Sequence, residues 1–398
     1  MTDIRLTFPI FQKYPELCFL DNASTTQKPS AVLLAMENFY LNANANIHRG
    51  VYPLAEKADK LYVEARNVTA KFIGAEVEEI IFTKNATEAI NLAAFGVGEA
   101  LVNEGDNVVV TELEHHANFL PWQEMAKRRG AEFRVVRVKN EMGDLDENDL
   151  AKLIDQRTKV VAVTGMSNVL GVQPDLKLIM EKAKAVGALF AVDCAQLAAH
   201  GKVDVKLMGC DMAFFTGHKL FGPMGTGFVY IEKNLAAKIP PLLTGGGMIK
   251  ELPAQWLDAP FKFEAGTPNV AGFVGMAAAL KMLNEMDWQE ISKQEKNLVK
   301  KCRAILSKFP EVKLYGPTDE EKFSSIVAFD VKGVHSHDLA SVLAEDQICI
   351  RAGHHCAKPL LGRLGLNALA RISFAFYNQE SDLDKLESAV TRAIKLFR

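Results

Sequence analysis

The sequence predicts an α/β protein: a large domain with a mostly parallel seven-stranded sheet, followed by a smaller carboxyl-terminal α/β domain. Three observations predict this fold class. Short apolar runs alternate with amphipathic stretches of helical period through the middle of the chain, which is typical of a sheet covered by helices on both faces. After about residue 269 this alternation gives way to long helical patterns and three further strand-like runs. The length of 398 residues also favours two domains over one small core.

Seven short apolar runs bounded by turn residues are the predicted strands of the large sheet. They cover residues 79–82, 107–111, 132–138, 159–164, 189–193, 212–216 and 227–231. Amphipathic stretches at 86–102 and 175–186 predict two of the covering helices. Ligands of such sheets lie beyond the carboxyl ends of the strands, so polar residues that follow these runs are the candidates for a functional site.

The carboxyl-terminal third of the chain has a different pattern. Helical periodicity covers 272–286 and 288–308, strand-like runs cover 325–330, 348–352 and 370–374, and a final helix covers 381–397. We expect three parts: residues 1–20 as an amino-terminal segment packing with the small domain, residues 21–270 as the large domain, and residues 271–398 as the small domain.

Composition argues against several classes of protein. Charged residues make up 24% of the chain and apolar residues 48%, and the net charge of -3 gives no reason to expect a nucleic-acid partner. We see no basic-then-apolar leader and no apolar run of membrane-spanning length, so we expect a cytoplasmic protein without membrane partners. The six cysteines include no C-x-x-C pair, which argues against a zinc ribbon or a disulfide framework.

Lys219 and Asp193 each follow a predicted strand, and together they predict a pyridoxal phosphate enzyme. Lys219 ends the segment Met-Ala-Phe-Phe-Thr-Gly-His-Lys, and Asp193 ends the strand before it. A lysine placed there can form the Schiff base with the cofactor. The carboxylate can pair with the pyridinium nitrogen and keep it protonated, so that the ring acts as an electron sink. A lone lysine after a strand is most often a surface residue, but the spaced aspartate favours the cofactor.

The helix predicted to begin near residue 86 offers a phosphate site. Ala86 and Thr87 open this helix, whose free backbone N–H groups and positive dipole end suit an anion. Thr216 and His218, just before Lys219, are further phosphate candidates. A threonine near a helix start is common in α/β proteins, so the assignment of Thr87 depends on Lys219.

Two histidine pairs raise the question of a metal site. His115, in Glu-His-His-Ala-Asn after a strand, can instead stack on a pyridine ring and move protons near neutral pH. The second pair precedes Cys356. Adjacent histidines rarely point at one ion, and no i, i+4 histidine spacing accompanies them, so we expect no metal. Asn168 follows another strand and is either a site residue or an ordinary turn or cap residue.

Five segments carry a family resemblance that runs almost end to end. They are Asn-Ile-His-Arg-Gly at 46–50, Glu-His-His-Ala-Asn at 114–118, Thr-Gly-His-Lys at 216–219, Glu-Ala-Gly-Thr-Pro-Asn at 264–269 and Arg-Ala-Gly-His-His-Cys-Ala at 351–357. The chain resembles the class V aminotransferase group of fold-type I pyridoxal phosphate enzymes, and within it the group II cysteine desulfurases of the SufS and CsdA type. Small departures exist: Thr216 stands where serine is usual, Cys194 where glycine is frequent, and Asp-Asn-Ala-Ser at 21–24 replaces the commoner Asp-Ser-Ala-Ala.

The resemblance implies a role for each matching residue. The implied cofactor-binding residues are Lys219, Asp193, Gln196, His115, Ala86, Thr87, Thr216 and His218, with Thr267 reaching the phosphate from the partner subunit of a homodimer. Gln196 bonds the phenolic oxygen, and His115 stacks on the ring. Arg371, aided by Asn168, clamps the substrate carboxylate, which a guanidinium group matches bidentately.

The implied activity converts L-cysteine to L-alanine and leaves the sulfur on Cys356 as a persulfide, with Lys219 and His115 as the other catalytic residues. Cys356 lies on a loop of the small domain between two histidines and a proline, and such neighbours can favour the thiolate. Cys349 alternates into a strand and is expected in the core. The sulfur would pass to a SufE-like or SufU-like acceptor, for iron–sulfur cluster or related biosynthesis. Selenocysteine lyase and cysteine sulfinate desulfinase stay open as alternatives, as does an idle sulfur-delivery subunit that retains the fold.

Overall fold

A computed structural model of the chain describes residues 4–253 and 255–397. In chain order the strands are β1 Cys18–Phe19, β2 Ile80–Thr83, β3 Asn107–Thr111, β4 Glu132–Val136, β5 Thr158–Thr164, β6 Leu189–Asp193, β7 Met212–Thr216, β8 Gly227–Ile231, β9 Ile249–Glu251, β10 Gln255–Trp256, β11 Val312–Tyr315, β12 Ile326–Val331, β13 Ile348–Cys349, β14 Arg351–Gly353 and β15 Leu369–Ser373. The helices are α1 Pro9–Lys13, α2 Ser30–Asn42, α3 Pro53–Ile73, α4 Ala86–Leu101, α5 Leu120–Arg129, α6 Glu147–Leu153, α7 Leu176–Ala185, α8 Val205–Met208, α9 Lys233–Lys238, α10 Val270–Asn284, α11 Trp288–Leu306, α12 Ser336–Glu345, α13 Lys358–Arg363 and α14 Leu386–Leu396. Short 3-10 turns join several of these elements.

The large sheet contains all seven predicted strands, in the order β2-β8-β7-β6-β5-β3-β4. Strand β8 is antiparallel to its neighbours β2 and β7, and the other six strands all run in the same direction. The predicted ends differ by one or two residues in β2, β4 and β5. Strand β4 stops before Val138, because Val138 pairs with Leu145 in an isolated bridge instead. Strand β2 begins after Glu79, because Glu79 forms a capping box with Glu76 in the preceding turn.

Both faces of the large sheet are buried, which explains why its strands are nearly continuous apolar runs. Successive residues of β3 enter different cores. Val109 belongs to the core that contains residues of α3 and α10, whereas Val108 and Val110 belong to the core that contains residues of α4 and α5. This alternation is the ordinary side-chain period of a strand, so the two layers of helices enclose the sheet.

The parallel strands carry the polar residues of the site to one edge of the sheet. Thr164 ends β5, Asp193 ends β6 and Thr216 ends β7. Thr164 and Asp193 are register partners. This edge is the expected location of a ligand site in an open α/β sheet.

The small sheet is antiparallel, in the order β11-β12-β15-β14. The sequence prediction missed β11 and was wrong in two details. The predicted strand at 348–352 is two strands, of which β13 pairs in parallel with β1 and β14 pairs with β15. The predicted helix at 381–397 begins only at Leu386, because a 3-10 turn at Glu380–Leu383 precedes it.

The segments around the predicted domain boundaries contact residues of both predicted domains. Helix α10 packs against α2 and α3, while β1 pairs with β13 next to the small sheet. Phe8 packs against Phe221 and Tyr377. The division into residues 1–20, 21–270 and 271–398 stays a prediction. Within the described residues, no helix has both the length and the apolar character needed to cross a bilayer.

Candidate active site

A cavity of about 270 Å³ opens at the carboxyl-terminal edge of the large sheet, against the loop of Cys356. The predicted site residues that line it are Ala86, Thr87, His115, Asn168, Asp193, Gln196, Thr216, His218, Lys219, Cys356 and Arg371. Thr267 is the exception. It is exposed between the turn Phe261–Phe263 and α10, and it does not line the cavity of its own chain.

Lys219 reaches the cavity from a 3-10 turn that follows β7 directly. The turn is tight because the Gly217 N–H donates to the Thr226 carbonyl at 2.8 Å. A Cβ atom at Gly217 would lie 2.2 Å from the Thr226 hydroxyl, so the position requires glycine. Burial lowers the pKa of Lys219 to about 8, although Asp193 acts in the opposite direction. A useful fraction of this amine is therefore neutral near physiological pH.

Asp193 ends β6 and is nearly fully buried. Its Oδ1 atom accepts a hydrogen bond from the Ala195 N–H at 2.9 Å. Burial raises the pKa of the Asp193 carboxyl, while this N–H and Lys219 favour the carboxylate. Gln196 follows on the same segment, and its side-chain amide donates to the Ala23 carbonyl at 2.8 Å. The carboxylate is thus in a place where a cationic partner would stabilise it.

His115 is held as a neutral imidazole. Its Nδ1 atom accepts from the Ala117 N–H at 3.1 Å, so the ring proton lies on Nε2. Burial, followed by the charge of Lys219, lowers the pKa of His115 to about 3. A neutral ring of this kind can stack on an aromatic cofactor without carrying a second buried charge.

Glu114 fixes the segment that carries His115. Its buried carboxyl group accepts from the Thr111 hydroxyl at 2.7 Å, from the Asn118 amide at 2.6 Å and from the Thr164 N–H at 3.0 Å. Burial raises the pKa of Glu114 to about 8, while these three donors favour the carboxylate. Glu114 therefore joins the His115 segment to the ends of β3 and β5.

One corner of the cavity is suited to a phosphate. Ala86 and Thr87 form the first turn of α4, which Asn85 caps by accepting from the Glu88 N–H at 2.9 Å. The Thr216 hydroxyl is buried and has no hydrogen-bond partner among the described residues. Since a buried polar group without a partner is costly, this hydroxyl indicates a ligand atom. Burial also lowers the pKa of His218 to about 4, which leaves its ring neutral.

The Cys356 loop has an unusual backbone. His355 and Cys356 have φ values of 49° and 52°, a left-handed conformation that costs a non-glycine residue on the order of 1–3 kcal/mol. The loop is held by His116, whose N–H donates to the Cys356 carbonyl at 2.7 Å and whose Nε2 accepts from the Lys358 N–H at 3.1 Å. From the sequence we expected the two histidines before Cys356, His354 and His355, to favour the thiolate form of this residue. Burial lowers the pKa of His355 to about 3, so this ring is neutral.

Cys349 and the histidine pairs differ from Cys356 in their surroundings. Cys349 belongs to β13, as predicted, is half-buried rather than in the core, and does not line the cavity. The rings of His116 and His354 have centroids 5.8 Å apart. Across residues 4–253 and 255–397, no three histidine, cysteine or acidic side chains come together as a metal site.

Arg371, on β15, is a buried and fixed cation, only 2% exposed. Its Nη1 atom donates to the Asn168 carbonyl at 2.7 Å, and its Nη2 donates to Ser24 Oγ at 2.9 Å and to Asp21 Oδ1 at 3.1 Å. Asn168 in turn donates from its side chain to the His355 carbonyl at 2.8 Å. Asn168 therefore links Arg371 to the Cys356 loop. Burial lowers the pKa of Arg371 to about 10, with Asp21 opposing.

Three residues of this region had no role predicted from the sequence: Asp21, Ser24 and Arg351. Ser24 and Arg351 line the cavity, and Asp21 bonds Arg371. Each of these residues lies in a segment that carries the family resemblance or departs from the family pattern. This was the sequence signal that could have identified them. The sequence did not indicate that β14 pairs with β15, and this pairing is what brings Arg351 opposite Arg371.

Comparisons with known proteins agree with this architecture. Residues 18–386 match the family described as aminotransferase class-V. A probable cysteine desulfurase from Halalkalibacterium halodurans is 40% identical over 402 residues, which cover 99% of this chain and 98% of that protein. An apo structure of a cysteine desulfurase from Thermococcus onnurineus NA1 matches with a TM-score of 0.93 at 38% identity, covering 99% of this chain and 98% of that one.

A second solved structure gives the same result. The cysteine desulfurase CsdA (S-sulfonic acid) from Escherichia coli matches with a TM-score of 0.90 at 37% identity, covering 99% of this chain and 98% of that one. The fold class predicted from the sequence is therefore confirmed. The chain belongs to the aminotransferase class-V family, among its cysteine desulfurases.

Proposed function

We propose that this protein is a pyridoxal phosphate-dependent cysteine desulfurase, which converts L-cysteine to L-alanine and leaves the sulfur on Cys356 as a persulfide. One observation carries the proposal: Cys356, Lys219 and Arg371 line the same cavity. A thiol, an amine with a lowered pKa and a fixed guanidinium group are what the removal of sulfur from an amino acid requires. The relatives named above as cysteine desulfurases support the same activity.

The cavity fits pyridoxal phosphate. Three features at the carboxyl-terminal edge of the large sheet support this fit. They are the buried Thr216 hydroxyl without a hydrogen-bond partner among the described residues, the buried Asp193 carboxyl and the neutral His115 ring. When bound, the cofactor supplies an electron sink for the carbon atom beside the substrate amine. Lys219 would hold it covalently, Asp193 would pair with the ring nitrogen, Gln196 would bond the phenolic oxygen, His115 would stack on the ring, and Ala86, Thr87, Thr216 and His218 would hold the phosphate.

Arg371 orients the substrate. Its charge is buried, so water screens it little, and its Nε–H has no partner among the described residues. This N–H is available to a substrate carboxylate, and charge-assisted bonds of this kind are strong. Asn168 holds the guanidinium group in place through its backbone carbonyl. The substrate is thereby fixed with its sulfur toward the Cys356 loop.

Lys219 takes a proton from the substrate, and His115 supports this step with a hydrogen bond. The lowered pKa of Lys219 lets its free amine take the proton from the substrate carbon next to the carboxylate, since a base works best when its pKa lies near the operating pH. His115 carries its ring proton on Nε2 and can donate a hydrogen bond through it to the reacting groups while the ring stays neutral.

Cys356 takes the sulfur. Its thiolate attacks the substrate sulfur, so a sulfur–sulfur bond forms and the carbon–sulfur bond of the substrate breaks. The electron pair of the broken bond stays with the substrate, and a proton adds at the carbon that carried the sulfur. The proton that Lys219 removed from the carbon beside the carboxylate is then returned, which completes alanine. The strained left-handed backbone and its bonds to His116 hold the loop in one position, which presents the thiol to the cavity.

The active site would be completed by a second copy of the chain and served by an acceptor protein. Thr267 is exposed outside the cavity of its own chain, and a homodimer would bring it to the phosphate of the neighbouring subunit. Cys356 is partly exposed, so a SufE-like or SufU-like acceptor could take its sulfur from outside. We propose a cytoplasmic location, which agrees with the six cysteines being free thiols.

Alanine formation tests the proposal. The purified holoenzyme, given L-cysteine and a thiol reductant, should release alanine and sulfide in equal amounts. Cys356→Ala should keep the absorbance of the bound cofactor yet lose nearly all alanine production. Cys349→Ala, seven residues earlier and outside the cavity, is the matched control and should keep the activity. Equal turnover by the Cys356→Ala enzyme and the wild type would overturn the proposed mechanism.

A further inference from the structure

Arg351 and Arg371 stand directly opposite each other in the ladder between β14 and β15. Like charges in such a cross-strand pair are destabilising. Arg371 is buried, whereas the side chain of Arg351 is about half exposed, at 51%. Both guanidinium groups line the cavity with Cys356. A neighbouring group must therefore offset the repulsion between the two guanidinium groups if Arg351 is to stay at the cavity wall.

Asp21 and Ser24 supply that offset. Asp21 Oδ1 lies 3.1 Å from Arg371 Nη2, and Asp21 Oδ2 lies 3.6 Å from Arg351 Nη1. Ser24 Oγ accepts from Arg371 Nη2 at 2.9 Å and from Arg351 Nη1 at 3.0 Å, and its proton goes to Asp21 Oδ1 at 2.5 Å. A hydroxyl has one donor and two acceptor sites, so every site of Ser24 is used.

The balance of charge in this group matches the proposed substrate. Two guanidinium groups and one carboxylate leave one net positive charge, which one substrate carboxylate neutralises. Arg351 depends on Ser24 in particular. Within the described part of the chain, its side chain has one hydrogen bond, and that bond is to Ser24. Without it, repulsion from Arg371 and access to water would draw Arg351 away from the cavity.

We propose that Ser24, together with Asp21, is a positioning residue that holds Arg351 beside Arg371, so that two guanidinium groups converge on one substrate carboxylate. This inference rests on the proposed function, because it concerns the substrate of that site. Ser24 also stands at a position where the sequence departs from the commoner Asp-Ser-Ala-Ala pattern. The position therefore tunes the affinity of this chain for amino acids through the hydroxyl group.

A pair of small ligands isolates the carboxylate contribution. L-Alanine and ethylamine share the amine and the alkyl group, and they differ in the carboxylate. Their dissociation constants are measured from the change in cofactor absorbance of the holoenzyme, which needs no turnover. In Ser24→Ala the constant for L-alanine should rise about five- to tenfold, the effect of one lost bond to a charged group that is partly exposed. The constant for ethylamine should not change.

Kinetics and two further variants complete the test. With L-cysteine, Ser24→Ala should raise KM by a similar factor and leave kcat within about twofold, since the lost contact acts on binding. Ser24→Thr keeps the hydroxyl and should restore the wild-type affinity. In Arg351→Met, adding Ser24→Ala should cause little further loss of alanine affinity, because Arg371 keeps its bonds to Asn168 and Asp21 while Arg351 has lost the contact that Ser24 provides. Ser24→Cys replaces the alanine variant if that variant does not fold.

The outcomes separate this inference from the proposed function. If the wild type releases no alanine from cysteine, the proposed function fails. If the wild type is active but Ser24→Ala binds L-alanine as the wild type does, the positioning role is wrong and the function stands. An equal loss of affinity for L-alanine and ethylamine would also overturn the inference, because it would show a general distortion of the site.

Discussion

Replacing Glu264 by glutamine should strongly destabilise the protein, because Glu264 neutralises a buried guanidinium group. Arg66, on α3, donates from Nη1 to Glu264 Oε1 at 2.8 Å and from Nη2 to Oε2 at 2.7 Å. The Phe82 N–H donates to Oε1 at 2.7 Å, and the Tyr62 hydroxyl donates to Oε2 at 3.1 Å. The two side chains are 5% and 10% exposed. Glu264 thus joins α3 and β2 to the segment that leads to Thr267.

The expected loss follows from the number of donors. Four donors meet two carboxylate oxygens, so the NH₂ group of a glutamine must face at least two of them. The substitution also leaves the Arg66 charge buried without its counter-ion. Breaking a buried pair by removing one partner costs about 3–5 kcal/mol. We expect the free energy of unfolding to fall by about that amount.

Glu64, an acidic residue on α3, provides a matched control. Glu64 pairs with Lys281 at 2.9 Å, but both side chains are more than half exposed, and such a pair contributes about 0–1 kcal/mol. Chemical denaturation of the apoprotein should show a much lower midpoint for Glu264→Gln and a nearly unchanged midpoint for Glu64→Gln, with similar slopes. Equal midpoints for the two variants would mean that the Arg66–Glu264 pair does not hold this segment as described.

Three further predictions concern the cofactor and the assembly. Borohydride reduction of the holoenzyme followed by peptide mass analysis should place the pyridoxyl group on Lys219, and its appearance on another lysine would exclude this assignment. Because burial lowers the pKa of Lys219 to about 8, the neutral amine appears at lower pH than in an ordinary lysine. Attachment of pyridoxal phosphate to the apoprotein should therefore accelerate up to about pH 8 and then level off, whereas a rise continuing to pH 10 would contradict the lowered pKa. Sedimentation should show a dimer, and Thr267→Ala should weaken phosphate retention; a fully active monomer would rule out the shared site.

The sequence could predict the parts of the site that depend on one strand each. Lys219 and Asp193 leave the ends of apolar runs, and the ends of parallel strands always meet at one edge of a sheet. The structure accordingly places both at one cavity. The seven strands of the large sheet were also predictable, since burial on both faces makes each of them a continuous apolar run.

The parts that depend on pairing between distant segments could not be predicted. Arg351 meets Arg371 only because β14 and β15 pair in one register, and nothing local in either segment sets that register. The same holds for the contacts of Ser24 with both arginines. The left-handed backbone at Cys356 also has no sequence signal, because glycine and asparagine, rather than cysteine, normally mark that conformation.

The fate of the sulfur atom is the most direct test of the proposed function. The holoenzyme would be mixed with L-cysteine in the absence of reductant, quenched after a single turnover, digested and analysed by mass spectrometry. We expect one extra sulfur atom on the peptide that contains Cys356, alkylatable as a persulfide, and one alanine released per subunit. Alanine without added sulfur on Cys356, or sulfur located on Cys349 instead, would contradict the assignment of Cys356 as the sulfur-accepting nucleophile.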